Sequence, residues 1–93
     1  MTRRILVVDD DPAIRELVRE FLSGDESQVE EAATGAEAVA AVESAPPDLI
    51  LLDMRLPDID GIELLGRLRA IADVPVVVIT ADSSSSRTIR AIQ

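Results

Sequence analysis

The sequence predicts an α/β protein: an open parallel sheet with helices on both faces. Short, β-branched apolar runs alternate with amphipathic helical patterns along the 93 residues, which is the signature of successive βα units. The strand runs are apolar at nearly every position rather than at every second one, as expected for strands buried on both sides. Three of the four runs end in oxygen-bearing residues, at the sheet edge where ligands of such folds bind.

Ile5-Leu6-Val7-Val8 is the first strand, short, β-branched and stopped by aspartates. Asp11 before Pro12 is the pairing expected of an N-cap followed by proline at the first helical position. Ile14, Leu17, Val18 and Phe21 then recur at helical spacing, and Ser23-Gly24 ends the helix. Val29 with Ala32-Ala33 makes a weaker second strand. Thr34-Gly35-Ala36-Glu37 reads as a capping box opening a helix through Val39 and Val42, stopped by Pro46-Pro47. Leu49-Ile50-Leu51-Leu52 is the third strand and ends in Asp53. A loop from Met54 leads to the cap Asp60-Gly61-Ile62-Glu63 and a helix carrying Leu64, Leu65, Leu68 and Ile71. Val74 to Thr80 is the strongest strand signal. The serines at 83–86 are expected to cap a short fourth helix holding Ile89 and Ile92.

Composition narrows the chemistry. A chain of this length is expected to be one domain, 1–93, burying ~60–65% of its extended surface. Apolar residues at 47% argue for a globular core despite a net charge of -9. One Phe and no Tyr or Trp leave an aliphatic core and no platform for stacking bases, and the acidic surface repels nucleic acid and anionic membranes. With no Cys and no His, disulfides, thiolate sites and the usual zinc ligands are excluded, so any metal is held by oxygen. The apolar run after Thr2-Arg3-Arg4 is too short for an export signal, which makes the cytoplasm the expected location. Arg3 and Arg4 themselves read as solvated.

The candidate chemistry lies at strand ends: Asp9 and Asp10 after the first, Asp53 after the third, Thr80 at the end of the fourth. If the first and third strands are neighbours, the carboxylates converge. Convergent carboxylates repel, so such a cluster holds a proton or a cation. A set of hard oxygen donors favours Mg²⁺, which takes one or two protein carboxylates and keeps waters that a phosphate can replace. A carboxylate can then act as nucleophile toward phosphorus. Asp11 is read as a helix cap and not as part of the site.

Val7-Val8-Asp9-Asp10-Asp11, the segment Leu51-Leu52-Asp53-Met54-Arg55-Leu56-Pro57-Asp58-Ile59-Asp60-Gly61, and Pro75-Val76-Val77-Val78-Ile79-Thr80-Ala81 together resemble the signatures of response-regulator receiver domains of two-component systems. The resemblance runs through essentially the whole chain. It implies a flavodoxin-like fold, here with sheet order 2-1-3-4, and phosphotransfer from a sensor histidine kinase or phosphotransfer protein to Asp53. It further implies that Asp10 and Asp53 bind Mg²⁺ directly, that Asp9 acts mainly through water, and that the backbone carbonyl of Arg55 completes the protein ligands. Thr80 would hydrogen-bond the phosphoryl group and move with it as the switch. Arg55 and Asp82 match positions that tune the phosphoryl lifetime and are expected to pair across the pocket mouth. Such a module accepts and slowly loses its own phosphoryl group and is not a turnover enzyme.

The family pattern continues beyond a fourth helix with a fifth strand, a lysine at its end and a fifth helix. All nine basic residues here are arginines, and the chain is expected to lack the fifth βα unit. On that expectation the fourth strand is an exposed apolar edge, so self-association through it is anticipated. The missing lysine also keeps open an alternative, a phosphorylation-independent interaction module. A phosphatase built on an aspartyl phosphate would want an acid two residues after its nucleophile, where Arg55 stands.

Overall fold

The computed structural model describes residues 2–81 and 87–92, with side chains as far as Ile79. The elements run β1 (Arg3–Val8), α1 (Pro12–Leu22), β2 (Ser27–Ala32), α2 (Gly35–Ser44), β3 (Leu49–Asp53), α3 (Gly61–Ile71), β4 (Val76–Ala81) and β5 (Arg87–Ile92). They form a five-stranded sheet in the order β2-β1-β3-β4-β5. The first four strands are parallel, giving the anticipated 2-1-3-4 arrangement with three helices against it.

Alternation along the strands sends two sets of side chains to opposite faces. Leu6, Val8, Ile50, Leu52, Val76 and Val78 meet Ala38 and Val42 of α2 and Leu64 and Leu68 of α3 in the larger core. Ile5, Val7 and Val29 form a smaller core on the other face, with Val18 of α1, Leu49 and Leu51 packed against it. The helices start where the caps predict. Asp11 accepts the Ala13 N–H at 2.9 Å, Thr34 the Glu37 N–H at 3.1 Å, and Asp60 the Ile62 N–H at 2.8 Å.

Two expectations are corrected. The segment anticipated as a fourth helix is strand β5, antiparallel to β4 with register Val76↔Ile92 to Ala81↔Arg87. Six residues are few for a helix, and Thr88, Ile89 and Ile92 are β-branched. Pairing with β4 satisfies backbone groups that the apolar edge would otherwise present unpaired. The free β4 edge on which self-association was expected is therefore occupied; the serines at 83–86 lie outside the described residues. The second correction concerns Arg4, which is not simply solvated. Its guanidinium pairs with Glu30 and donates to the carbonyls of Ala45 and Pro46 at 3.2 and 3.3 Å, placing a cation at the C-terminal end of α2.

The apolar stripe of α1 is only partly used. Val18 packs, but Leu17 is 47% and Phe21 77% exposed, and no residue of α1 is fully buried. Among the described elements, this helix packs on β1 and β2.

Leu52 is fully buried in the middle of the sheet. Leu52→Ala is expected to cost about 2–5 kcal/mol; in urea unfolding the midpoint should fall with the m-value unchanged.

Candidate functional site

The register of β1 against β3 ends in Val8↔Leu52, so the next residues, Asp9 just past β1 and Asp53 at the last position of β3, stand side by side at the C-terminal edge of the sheet. Asp10 follows in the loop to α1. Carboxylate oxygens of Asp9, Asp10 and Asp53 all lie within 4.8 Å of one another. Asp9 is fully buried and Asp53 is 2% exposed, whereas Asp10 faces solvent. The convergence expected from the strand ends is thus present.

Backbone amides help to hold the two buried carboxylates in place. The Asp11 N–H donates to Asp9 Oδ1 at 2.9 Å, and the Arg55 N–H donates to Asp53 Oδ1 at 3.1 Å. Each is an aspartate turn closing on the amide two residues ahead, which orients the carboxylate through its own backbone. The Asp9 N–H reaches the Ala32 carbonyl at 3.0 Å, and the Asp9 carbonyl accepts from Arg15 Nη1 at 2.7 Å. Arg15 was not read as functional from the sequence. Its ion-pair partner Glu31 sits on the weakest strand signal, so nothing local marked the contact.

The loop between β3 and α3 is tied down along its length. The backbones of Arg55 and Asp60 pair as an isolated antiparallel β-bridge. Asp58 crosses to the start of α2, where its two carboxylate oxygens accept the N–H groups of Gly35 and Ala36 at 2.9 and 3.0 Å. These hydrogen bonds, Gly35 first and Ala36 second, hold the Asp58 carboxyl below its ordinary 3.8; an anion at a helix N-terminus is favoured for the same reason. Asp58 belongs to the quoted motif, but its partner lies more than twenty residues away, out of reach of a local reading. Gly61 completes the arrangement: a Cβ there would lie 2.6 Å from the Met54 Cα and 2.9 Å from the Met54 carbonyl oxygen. Only glycine lets α3 start this close to the residue after Asp53.

Thr80 lies on β4 one position beyond Ile79, the register partner of Asp53, so its backbone is at the same sheet edge. Asp82 lies outside the described residues, and the expected Arg55–Asp82 pair with it.

Three carboxylates with no imidazole or thiolate among them form a hard, anionic donor set that suits Mg²⁺ and does not suit zinc or copper. The exposed position of Asp10 leaves the cluster open to solvent on one side, as a cation that keeps several waters requires. A cavity of about 370 Å³ between α2 and α3 is separate from this cluster and is lined in part by Val39, Ile59 and Arg67.

Comparison with known proteins agrees with this geometry. The family model described as the response regulator receiver domain matches residues 5–93. The transcriptional regulatory protein KdpE of Mycobacterium tuberculosis is 42% identical over 88 residues, covering 95% of this chain and 39% of its own length. The response regulator MprA of Mycobacterium bovis is 46% identical over 89 residues, covering 94% of this chain and 39% of its own. The chain thus spans about two fifths of the length of these curated relatives. Among solved structures, a CheY-like receiver domain protein from Methanospirillum hungatei superposes with TM-score 0.84 at 34% identity, covering 89% of this chain and 67% of that one. The chemotaxis protein CheY4 of Vibrio cholerae gives 0.81 at 30% identity, covering 89% and 72%.

Two outcomes follow from the loop. Gly61→Ala should lower stability by about 1–3 kcal/mol through overpacking against the Met54 backbone, read as a lower urea midpoint. The Asp58 carboxyl, lowered in the fold, adds stability that is present above 3.8 and is lost as pH falls through its folded value. Acid titration of stability should therefore show the parent's advantage over Asp58→Asn shrinking on acidification; an advantage constant through that window would contradict the assignment.

Proposed function

The chain belongs to the response-regulator receiver family, and we propose that it is a phosphoacceptor in which Asp53 takes a phosphoryl group from a sensor histidine kinase or phosphotransfer protein, with Mg²⁺ bound beside it. The observation that carries this reading is the convergence of the Asp9, Asp10 and Asp53 carboxylates at one sheet edge.

In this reading a carboxylate oxygen of Asp53 attacks phosphorus as the bond to the donor imidazole breaks and the imidazole departs with the electron pair. An acyl phosphate results, and attack by water later returns the carboxylate and releases inorganic phosphate. The Arg55 amide on Oδ1 fixes the orientation of the nucleophile through the cycle, which favours an attack aligned with the leaving group. Bound Mg²⁺ would offset the negative charge that the carboxylates and the phosphoryl group bring together. Asp10 and Asp53 would hold it directly, Asp9 mainly through water, and the Arg55 carbonyl would complete the protein ligands. Thr80 would hydrogen-bond the phosphoryl oxygens and follow them. The module acts by changing its own state.

The composition supports protein partners over nucleic acid for this segment, with a net charge of -9. Among the described residues no helix is long and apolar enough to cross a membrane.

Treatment with Mg²⁺ and acetyl phosphate should add one phosphoryl group by intact mass, and Asp53→Asn should add none. A folded parent that gains no mass would favour the phosphorylation-independent interaction module instead.

A further inference from the structure

We propose that Arg15 is a positioning residue for the cation, holding the Asp9–Asp10 peptide so that the Asp10 carboxylate faces Asp53. The proposal rests on the Mg²⁺-dependent phosphoacceptor reading and extends it to a residue on α1, outside the acidic cluster.

The carbonyl of Asp9 belongs to the peptide that carries Asp10. Arg15 Nη1 donates to that oxygen at 2.7 Å while its Nε donates to Glu31 Oε1 at 3.0 Å. One guanidinium therefore ties the start of the β1–α1 loop to β2. The other side of Asp9 is already held, its N–H by Ala32 and its Oδ1 by the Asp11 N–H. With these in place, the main freedom left to the segment is rotation of the Asp9–Asp10 peptide, and the Arg15 contact restrains it. Asp10 is the exposed member of the three, so packing does little to orient it and backbone restraint matters most there.

Arginine suits the task. Its planar fork presents several donors in fixed directions and can hold two acceptors at once, which a lysine ammonium on a flexible stem does poorly. Its charge would by itself oppose a nearby cation, but Glu31 lies against it and also takes Arg19. The guanidinium thus works as a directional clamp whose charge is offset in part by Glu31. A side chain only 17% exposed on a helix with no fully buried residue is consistent with that use. Partners that orient metal ligands without touching the metal typically change metal affinity about 10–100-fold when removed.

The test measures Mg²⁺ binding by calorimetry for the parent, Arg15→Gln and Arg15→Lys. In parallel, acetyl phosphate labelling of Asp53 is followed by mass over a Mg²⁺ series. Arg15→Gln should raise the Mg²⁺ Kd about tenfold and shift the labelling curve to higher Mg²⁺ by the same factor, with labelling at saturating Mg²⁺ returning to the parent level. Arg15→Lys should also raise the Kd, by a smaller factor, because charge is kept and the fork is lost. A merely structural role would lower thermal stability and leave the Kd of the folded protein in place; that result overturns the proposal. Should Arg15→Gln fail to fold, the lysine variant decides, and an unchanged Kd there overturns it equally. A parent that binds no Mg²⁺ would instead overturn the phosphoacceptor reading beneath it.

Discussion

The parallel pairing of β1 with β3 is the constraint on which the rest of the molecule depends. Its register, Ile5↔Leu49 through Val8↔Leu52, is set by aliphatic side chains that must reach both faces at once. A slip of one residue would exchange the faces served by Ile50 and Leu51 and leave the larger core unfilled. The same register decides chemistry, since it brings Asp9 and Asp53 to the edge together. Core packing and site geometry are therefore one specification. The strand alternation that buries Leu52 also delivers Asp53.

Bringing carboxylates together opposes folding. At 4.8 Å two ionised groups repel by about 3.5 kcal/mol for an effective dielectric near 20. Backbone dipoles contribute to meeting this cost: the Asp11 and Arg55 amides each reach one buried carboxylate. Such hydrogen bonds to charged groups are stronger than neutral ones, about 1.5–3 kcal/mol each. An amide dipole lessens the repulsion without cancelling the charge, so the cluster keeps its attraction for a divalent cation. The loop after β3 follows a similar logic at its far end, where Asp58 complements the start of α2 and anchors the segment that carries Arg55.

Much of this was legible from residue order. Helix starts were read from Asp11-Pro12, Thr34-x-x-Glu37 and Asp60-Gly61 because capping is local chemistry, completed within three residues. Asp9, Asp10 and Asp53 stood out because acids ending apolar runs at one sheet edge must converge once the strands are neighbours. The errors were of another kind. The final segment was read as a helix from spacing alone, although over six residues the spacing of Ile89 and Ile92 does not separate helix from strand, and the unsatisfied edge of β4 decided the outcome. Arg4, Arg15 and Asp58 were passed over because each has its partner on a different element, and no local pattern announces a contact made only by the tertiary fold.

Of those passed-over contacts, the ones made by Arg15 join α1 to β2 and to the end of β1, where hydrophobic packing is thinner. The α2–α3 face has a continuous core. On the α1 face the buried cluster among the described residues is Ile5, Val7 and Val29, with Leu17 and Phe21 left largely in solvent. Packing therefore locates α1 loosely, and the polar ties from Arg15 and Arg19 to Glu31 supply a second hold. An element held this way opens at lower free energy than the core strands beneath it. Because Arg15 also carries the Asp9 carbonyl, the hold on the Asp9–Asp10 peptide loosens whenever α1 does. The acidic site is thus tied to the sheet through β3, which carries the buried Asp53, and to α1 through the Arg15 contact beside the exposed Asp10.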